Sequence, residues 1–509
     1  MAKQEKASID PLKSIKHVLV VMFENRSFDN LLGWLYDEEP PPRCKDFDGL
    51  HRGLWNPLNN VDANGLPFVE KVYVRKNGEG LPYGRHPNKP VPVDYRVPSP
   101  DPGEGYRATN YQLFGQFDVA TQYPPPPTNM GFVNNYRDAN LYGTFSFGEA
   151  PGDPRDIMIC YTPEQVPVLS KLARQFAVCD RWYASVPSQT LPNRHFVHTG
   201  TSKGAVNNTG PCDARTIFQV IQDAAKQRVG LRWNVYAGTE WNRKKKVEQY
   251  FSLTRTLLTQ LQTKKYNSGF TTHEQFFKDA EEGTLPSYGF IEPQIHSPGA
   301  NDQKPPQDIR PAEKFLADLY NAVVNSPQWN ETLLVIIYDE HGGCYDHIPP
   351  PGHAQPPDAA SKPFLPGEDG FLFNRFGVRI PAVLVSPWIK KGTVFRAPND
   401  GPPVDHTSVL ATLRNCFGLT ESLSEREKRA PDLGGALNGT RPRKDKPKVT
   451  PLTFEPETDP VVNDLHRLAA DVMEQCTGRT RRDDEDIFEF FFNAYEEKFG
   501  KHQKVTKRQ

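Results

Sequence analysis

The sequence predicts an α/β fold built on a mostly parallel sheet, with long ordered loops inserted between its regular elements. Three observations lead there. Short unbroken apolar runs rich in β-branched residues recur along the chain and end in acids, amides or hydroxyls, as strands buried on both faces do. Helical apolar spacing fills stretches between them. Proline occurs 49 times in 509 residues, against an average share of about 5%, which calls for extensive irregular connections.

The first strand is read at 16–23, KHVLVVMF, and polar residues begin at once with Glu24, Asn25 and Arg26. Further strands of the same kind are expected at 176–179, 231–236, 288–292, 333–338 and 382–386. The clearest helix is 311–324, where Phe315, Leu316, Leu319, Tyr320, Val323 and Val324 share one face behind a proline suited to the first turn. Residues 407–417 have helical spacing too. Residues 40–130 hold Pro-rich stretches and little periodicity, and are read as an ordered insertion rather than a second core. Residues 350–376 and 425–450 are further loops. Near the end, Phe488, Phe491, Phe492, Tyr495 and Phe499 fall on one side of a helix expected to dock on the main body. The organisation expected is a catalytic unit over 1–425 and a helical extension over 426–509 packed on it. Length alone, at about 150 residues per domain, also allows roughly three domains.

Lys and Arg number 61 against 62 Asp and Glu, so a general nucleic-acid binder is not expected. The basic runs 243–246 and 441–448 read as solvated surface. The longest apolar runs are about a third of a bilayer-crossing length, so no transmembrane segment is expected. The first fifteen residues show no apolar signal region. A cytoplasmic location is the expectation, with leaderless export or a removed leader left open. Seven cysteines, widely spread and without C-x-x-C spacing, read as reduced thiols.

In open α/β sheets ligands bind past the carboxyl ends of strands. Three clusters stand there: Glu24 to Asp29 after the first strand; Ser185 to Arg194, a Pro-punctuated loop containing Thr190; and Asp339, Glu340, His341, Asp346 and His347 after 333–338. Each alone has an ordinary explanation as a helix cap or tight turn. Together they offer three carboxylates, an amide and a hydroxyl, the donor set of a hard divalent cation. A cation beside a threonine oxygen lowers its pKa and makes it a usable nucleophile.

These stretches resemble successive signatures of a known family: Glu24 to Asp29 (ENRSFD), 176–182 (FAVCDRW), 187–194 with Gly200 and Thr201, 338–343 (YDEHGG) with Asp346 and His347, and 405–408 (DHTS). The family is the phosphoesterases that include non-specific phospholipases C and bacterial acid phosphatases of phospholipase C type, and the likeness runs from about 16 to 418. It implies an alkaline-phosphatase-like three-layer α/β/α sandwich. It implies one divalent metal, Ca, Mg, Mn or Zn, held by Glu24, Asn25, Thr190, Asp339 and Glu340. Thr190 would be the nucleophile that is transiently phosphorylated, and Asn25 would also donate to the phosphoryl oxygens. The substrate implied is a phosphate ester, phospholipid among the candidates.

Two departures stand out. Where the family has His in Asp-Pro-Gly-His and in Asn-Asp-Asp-His-Pro, this chain has Glu104 and Lys304. Lys304 would pair with Glu104 or act as a point-charge clamp. Substrate contacts are expected from Glu104, Lys304, His296 and His341, with His341 and His347 also supporting the metal ligands. His195 and His198 are expected to pack. Two other readings stay open: a relative that binds a metal and an anionic or lipid surface without turnover, and one acting on another ester such as a sulfate.

Overall fold

The computed structural model describes residues 10–500 apart from 44–45, 63, 81–88, 121, 123, 143–151, 243–246, 296–298, 359–369, 399–400, 456–463 and 483–485. His296 and the basic run 243–246 therefore lie outside the described residues.

An eight-stranded sheet forms the centre, in the order Phe270–Thr272, Trp233–Ala237, Tyr288–Ile291, His17–Phe23, Thr332–Tyr338, Val383–Val385, Ala177–Cys179, Thr393–Phe395. All seven residues of His17–Phe23 and of Thr332–Tyr338 are buried, which explains their unbroken apolar character. Gly289 lets the sheet pack closely, since a Cβ there would come within 2.7 Å of the Leu19 side chain. Every pairing is parallel except those of Val383–Val385, which runs antiparallel to both neighbours. Side-chain patterning does not report strand direction. Phe270–Thr272 and Thr393–Phe395 were not anticipated, because three-residue strands are too short to show a period.

Helices pack in two groups, one on each side of the sheet. Pro167–Gln175, His273–Glu282 and Arg310–Asn325 pack together, as do Thr190–Thr199, Ile217–Ala225, Leu253–Leu257 and Thr407–Phe417. This is the three-layer α/β/α arrangement expected. Arg310–Asn325 buries the stripe read from the sequence, Phe315, Leu316, Leu319, Tyr320, Val323 and Val324. Among the described residues no helix is long and apolar enough to cross a membrane.

The 40–130 region carries more order than its composition suggests. A hairpin pairs Trp55–Val61 with Pro67–Tyr73, and Tyr106–Phe114 is helical. Leu58, Val72, Leu113, Phe132, Tyr136 and Met158 form a satellite apolar cluster that also takes in Trp34, Tyr345 and Val378. The reading of an insertion without a second core is amended to that extent. At the other end, Ile487–Phe499 packs on Asp464–Thr477 and reaches the main body, where Tyr495 meets Tyr250 and Phe251 with ring centroids 5.9 and 5.4 Å apart. The side chains of Phe488 and Phe491 lie outside the described residues. Cys160, Cys179, Cys212, Cys344, Cys416 and Cys476 are free thiols.

Candidate functional site

The parallel register that sets Phe23 opposite Tyr338 places Glu24 and Asn25 beside Asp339 and Glu340. Two backbone bonds fasten the pairs: Asp339 N–H donates to the Phe23 carbonyl and Arg26 N–H to the Glu340 carbonyl, each at 3.1 Å. The Asn25 N–H then donates to Asp339 Oδ1 at 2.9 Å. Asn25 turns in the left-handed region, with φ 55°, a conformation asparagine tolerates better than most residues. Gly342, itself at φ 62°, lies so close that a Cβ would come 2.2 Å from the Asn25 carbonyl oxygen. The Gly pair of the third cluster thus serves the geometry of the first.

Thr190 begins the helix Thr190–Thr199, and its Oγ1 donates to Glu24 Oε2 at 3.3 Å. Asn193 braces the loop before it, accepting from Val186 N–H and donating to the carbonyls of Val186, Ser188 and Gln189. Arg194, one turn beyond Thr190 on the same helix face, donates from Nε to Glu24 Oε1 at 2.9 Å and from Nη2 to the same oxygen. Neither Asn193 nor Arg194 was singled out from the sequence. The four-residue spacing of Thr190 and Arg194, had the stretch been read as a helix, is the signal that would have found the latter.

Glu24, Asn25, Asp339, Glu340 and Thr190 are each at most 1% exposed. Burial pushes the carboxyls of Glu24 and Glu340 well above the ordinary range; Arg194 opposes this at Glu24 while Asp339 reinforces it, and at Glu340 the neighbouring Glu104 and Asp339 reinforce it. Asp302, whose backbone carbonyl accepts from Glu24 N–H, is pushed up to about 7 by burial. Among the described residues, Asn25 Oδ1, Asp339 Oδ2 and both Asp302 carboxylate oxygens are buried without a hydrogen-bond partner. Unpaired buried oxygens are costly unless a cation or proton joins them.

The two departures from the family pattern meet each other. Lys304 Nζ donates to Glu104 Oε2 at 2.8 Å and lies 3.2 Å from Asp101 Oδ2, all three being nearly fully buried. The Asn25 side-chain amide donates to both Glu104 and Glu340. Glu104 and Lys304 therefore stand beside the first and third clusters as an ion pair. His341 touches the same set, with Nδ1 3.2 Å from Glu340 Oε2 and Nε2 2.7 Å from Gln112 Oε1. Burial lowers His341 to about 3, so its ring is neutral.

Several other described histidines are buried or paired. His195 and His198 are buried and pushed down by desolvation. His406 Nε2 lies 2.6 Å from the Asp339 carbonyl, and Asp405 accepts from Thr407 N–H at the start of its helix. His347 pairs with Asp29 at 2.6 Å rather than with the metal-ligand candidates. Asp29, Asp346 and His347 bring their ligand atoms within 4.8 Å of one another, a spacing a metal would accept. Arg379 already fills that place, reaching Asp29 Oδ1 and Asp346 Oδ1 at 2.9 Å each. Glu24, Asp339 and Glu340 do not converge so tightly, because Arg194 draws on Glu24 and Asn25 on Glu340.

The phosphoesterase family matches residues 15–420 of this chain. Non-specific phospholipase C3 of Arabidopsis thaliana is 35% identical over 454 residues, covering 86% of this chain and 76% of that protein. Non-hemolytic phospholipase C of Burkholderia pseudomallei is 24% identical over 445 residues, covering 80% and 55% respectively. Among solved structures, an alkaline phosphatase superfamily protein from Vibrio parahaemolyticus aligns with TM-score 0.30 at 13% identity over 52% of this chain and 63% of that one. A sulfatase-like protein from Bacteroides thetaiotaomicron aligns with TM-score 0.32 at 11% identity over 56% and 71%.

Proposed function

The chain belongs to the phosphoesterase family and is a phosphoric ester hydrolase, and from that premise we propose that it cleaves phospholipid phosphodiesters in the phospholipase C manner through a phosphothreonine at Thr190. Thr190 Oγ attacks phosphorus in line with the diacylglycerol oxygen; the Oγ–P bond forms, the P–O bond to glycerol breaks, and the alkoxide takes a proton from solvent. Glu24 Oε2, 3.3 Å from Oγ1, receives the threonine proton and releases it to solvent, which balances the proton taken up by the alkoxide. Water then attacks phosphorus, breaks the P–Oγ bond and releases the phosphorylated headgroup, returning a proton to Oγ.

The residues fit one divalent cation. Asn25 Oδ1 and Asp339 Oδ2 are buried oxygens without partners, and Glu24, Glu340 and Thr190 stand beside them. Glu24, Asn25, Thr190, Asp339 and Glu340 would hold it, and an all-oxygen set suits Ca, Mg or Mn, with Zn as the alternative. When bound, it supplies countercharge to the carboxylates, lowers the pKa of the Thr190 hydroxyl and polarises the phosphoryl group. Arg194 holds Glu24 in place, and the Asn25 amide, which donates to Glu104 and Glu340, would donate to the phosphoryl oxygens on leaving one of them.

Lys304 is engaged by Glu104 and Asp101. This side of the site is then net anionic, which favours a diester with one charge over a monoester with two. Glu104 and Lys304 thus act on selectivity through the charge they present, and His341 steadies Glu340. The observation that carries the reading is the Thr190 hydroxyl on Glu24 Oε2, within a buried group of acids.

The test is hydrolysis of p-nitrophenyl phosphorylcholine, bis-p-nitrophenyl phosphate and p-nitrophenyl phosphate by wild type and Thr190→Ala, with and without chelator. Expected is chelator-sensitive turnover, faster on the two diesters and absent in a folded Thr190→Ala protein. Unchanged turnover in that variant would exclude Thr190 as the nucleophile.

A further inference from the structure

The hairpin Trp55–Val61 and Pro67–Tyr73 is buried at its base and bare at its end. At the base, Asn56 donates to the Asn129 carbonyl and accepts from Phe132 N–H, while Leu58 and Val72 enter the satellite cluster. Phe132 packs edge-on to His341 and Tyr345, with centroids 6.2 and 5.5 Å away, and His341 contacts Glu340. The hairpin is thereby rooted in the wall of the candidate site.

The distal end is apolar on both faces. Val61 is 61% exposed, Leu66 62%, Phe68 43% and Val69 60%. Val61 pairs with Pro67 and Asn59 with Val69 on one face, while Phe68, opposite Asn60, lies on the other and Leu66 sits at the turn. From Trp55 to Val69 the only charged residue is Asp62, whose Oδ1 is occupied by the amides of Asn64 and Leu66. Exposed edge hairpins ordinarily carry several charges that prevent association, and this one carries only Asp62 at its apolar end.

We propose that this hairpin is a membrane anchor that inserts its end into a phospholipid surface and brings the site to its substrate. A protein partner would cover one face of a two-stranded ribbon, whereas hydrocarbon surrounds both, and here both carry exposed apolar side chains. Charge complementarity agrees: the exposed Lys71 lies 4.6 Å over the Trp55 ring behind the apolar end, a cation and an indole at the level where phosphate headgroups would sit. The inference rests on the phospholipid reading above.

The experiment is co-sedimentation with phosphatidylcholine vesicles, alone and with phosphatidylserine at four to one, for wild type, Thr190→Ala, Leu66→Asp and the triple variant Val61→Ser/Leu66→Ser/Val69→Ser. Soluble p-nitrophenyl phosphorylcholine turnover and sedimentation velocity are measured alongside. Expected are vesicle binding by wild type and Thr190→Ala, binding weakened at least about tenfold in Leu66→Asp and the triple variant, and unchanged soluble turnover. Wild type that turns over the soluble ester yet ignores both vesicles overturns the anchor and leaves the enzyme reading intact. Vesicle binding lost with the hairpin variants, in a protein silent on every ester, supports the anchor and counts against the catalytic reading. A wild-type dimer that the triple variant dissociates, with vesicle binding unaffected, assigns the hairpin to contact between copies and overturns the proposal.

Discussion

Lys304→Met tests the buried pair on which the anionic side of the site depends. The ammonium lies 2.8 Å from Glu104 Oε2 and 3.2 Å from Asp101 Oδ2 at 1% exposure. At an effective dielectric of about 20 the nearer contact alone is worth about 6 kcal/mol of attraction, most of it offset by the desolvation of both ions. Removing the cation leaves buried carboxylates beside Glu340, and such a loss costs about 3–5 kcal/mol. With 509 residues and about 2.1 cal/mol/K of unfolding entropy per residue, the melting temperature should fall by about 3–5 °C. Glu104→Gln in the same chain removes the stranded charge and should recover more than half of that loss, a coupling of about 2 kcal/mol or more. Scanning calorimetry of wild type, both single variants and the double variant, with chelator and with excess divalent cation, measures the cycle. Additive single effects, or a Lys304→Met melting point within about 1 °C of wild type, would refute the pairing argument.

Saturation with Ca, Mg or Mn at about 100 times the dissociation constant should stabilise the protein by about 2.7 kcal/mol, a shift of roughly 2–3 °C that Asp339→Asn abolishes. Arg194→Met strips Glu24 of its buried counter-charge, so turnover should drop at least about 100-fold; Arg194→Lys, which restores the charge without the fork, should recover only part of it. Arg379→Met leaves Asp29 and Asp346 facing each other in the interior and should cost about 3–5 kcal/mol by calorimetry without a proportionate change in KM. Glu313 accepts from Val168 and Leu169 N–H, and burial raises its pKa from 4.5 to about 7. The folded state thus keeps a proton that the unfolded chain gives up, and this contribution to stability is lost as pH rises between those values. Glu313→Gln should therefore gain on wild type by about 2.5 kcal/mol between pH 5 and pH 8, and parallel pH profiles would contradict this.

The sequence by itself determined the buried strands around 17–23 and 332–338, the helix over 310–325 and the polar clusters that follow the strands, because burial on two faces or on one stripe forces a residue pattern that local reading detects. It also marked Thr190 and the acids as candidates, since their residue types carry the chemistry. Only the tertiary structure decided the direction of Val383–Val385 and the existence of the three-residue edge strands, whose pairing energy comes from neighbours distant in sequence. The same holds for the satellite cluster centred on 40–160, where Leu58, Leu113 and Phe132 meet across long loops without a shared period. Arg194 on Glu24 and Lys304 on Glu104 span 170 and 200 residues. Asp29, Asp346 and His347 looked like part of the site from their positions in the sequence, and Arg379 makes them an ion-paired brace instead. Charge identity is written in the chain, but which opposite charge shares a buried volume with it is set by how the layers pack, and at short range in a low dielectric that choice decides whether an acid holds a metal, a proton or an arginine.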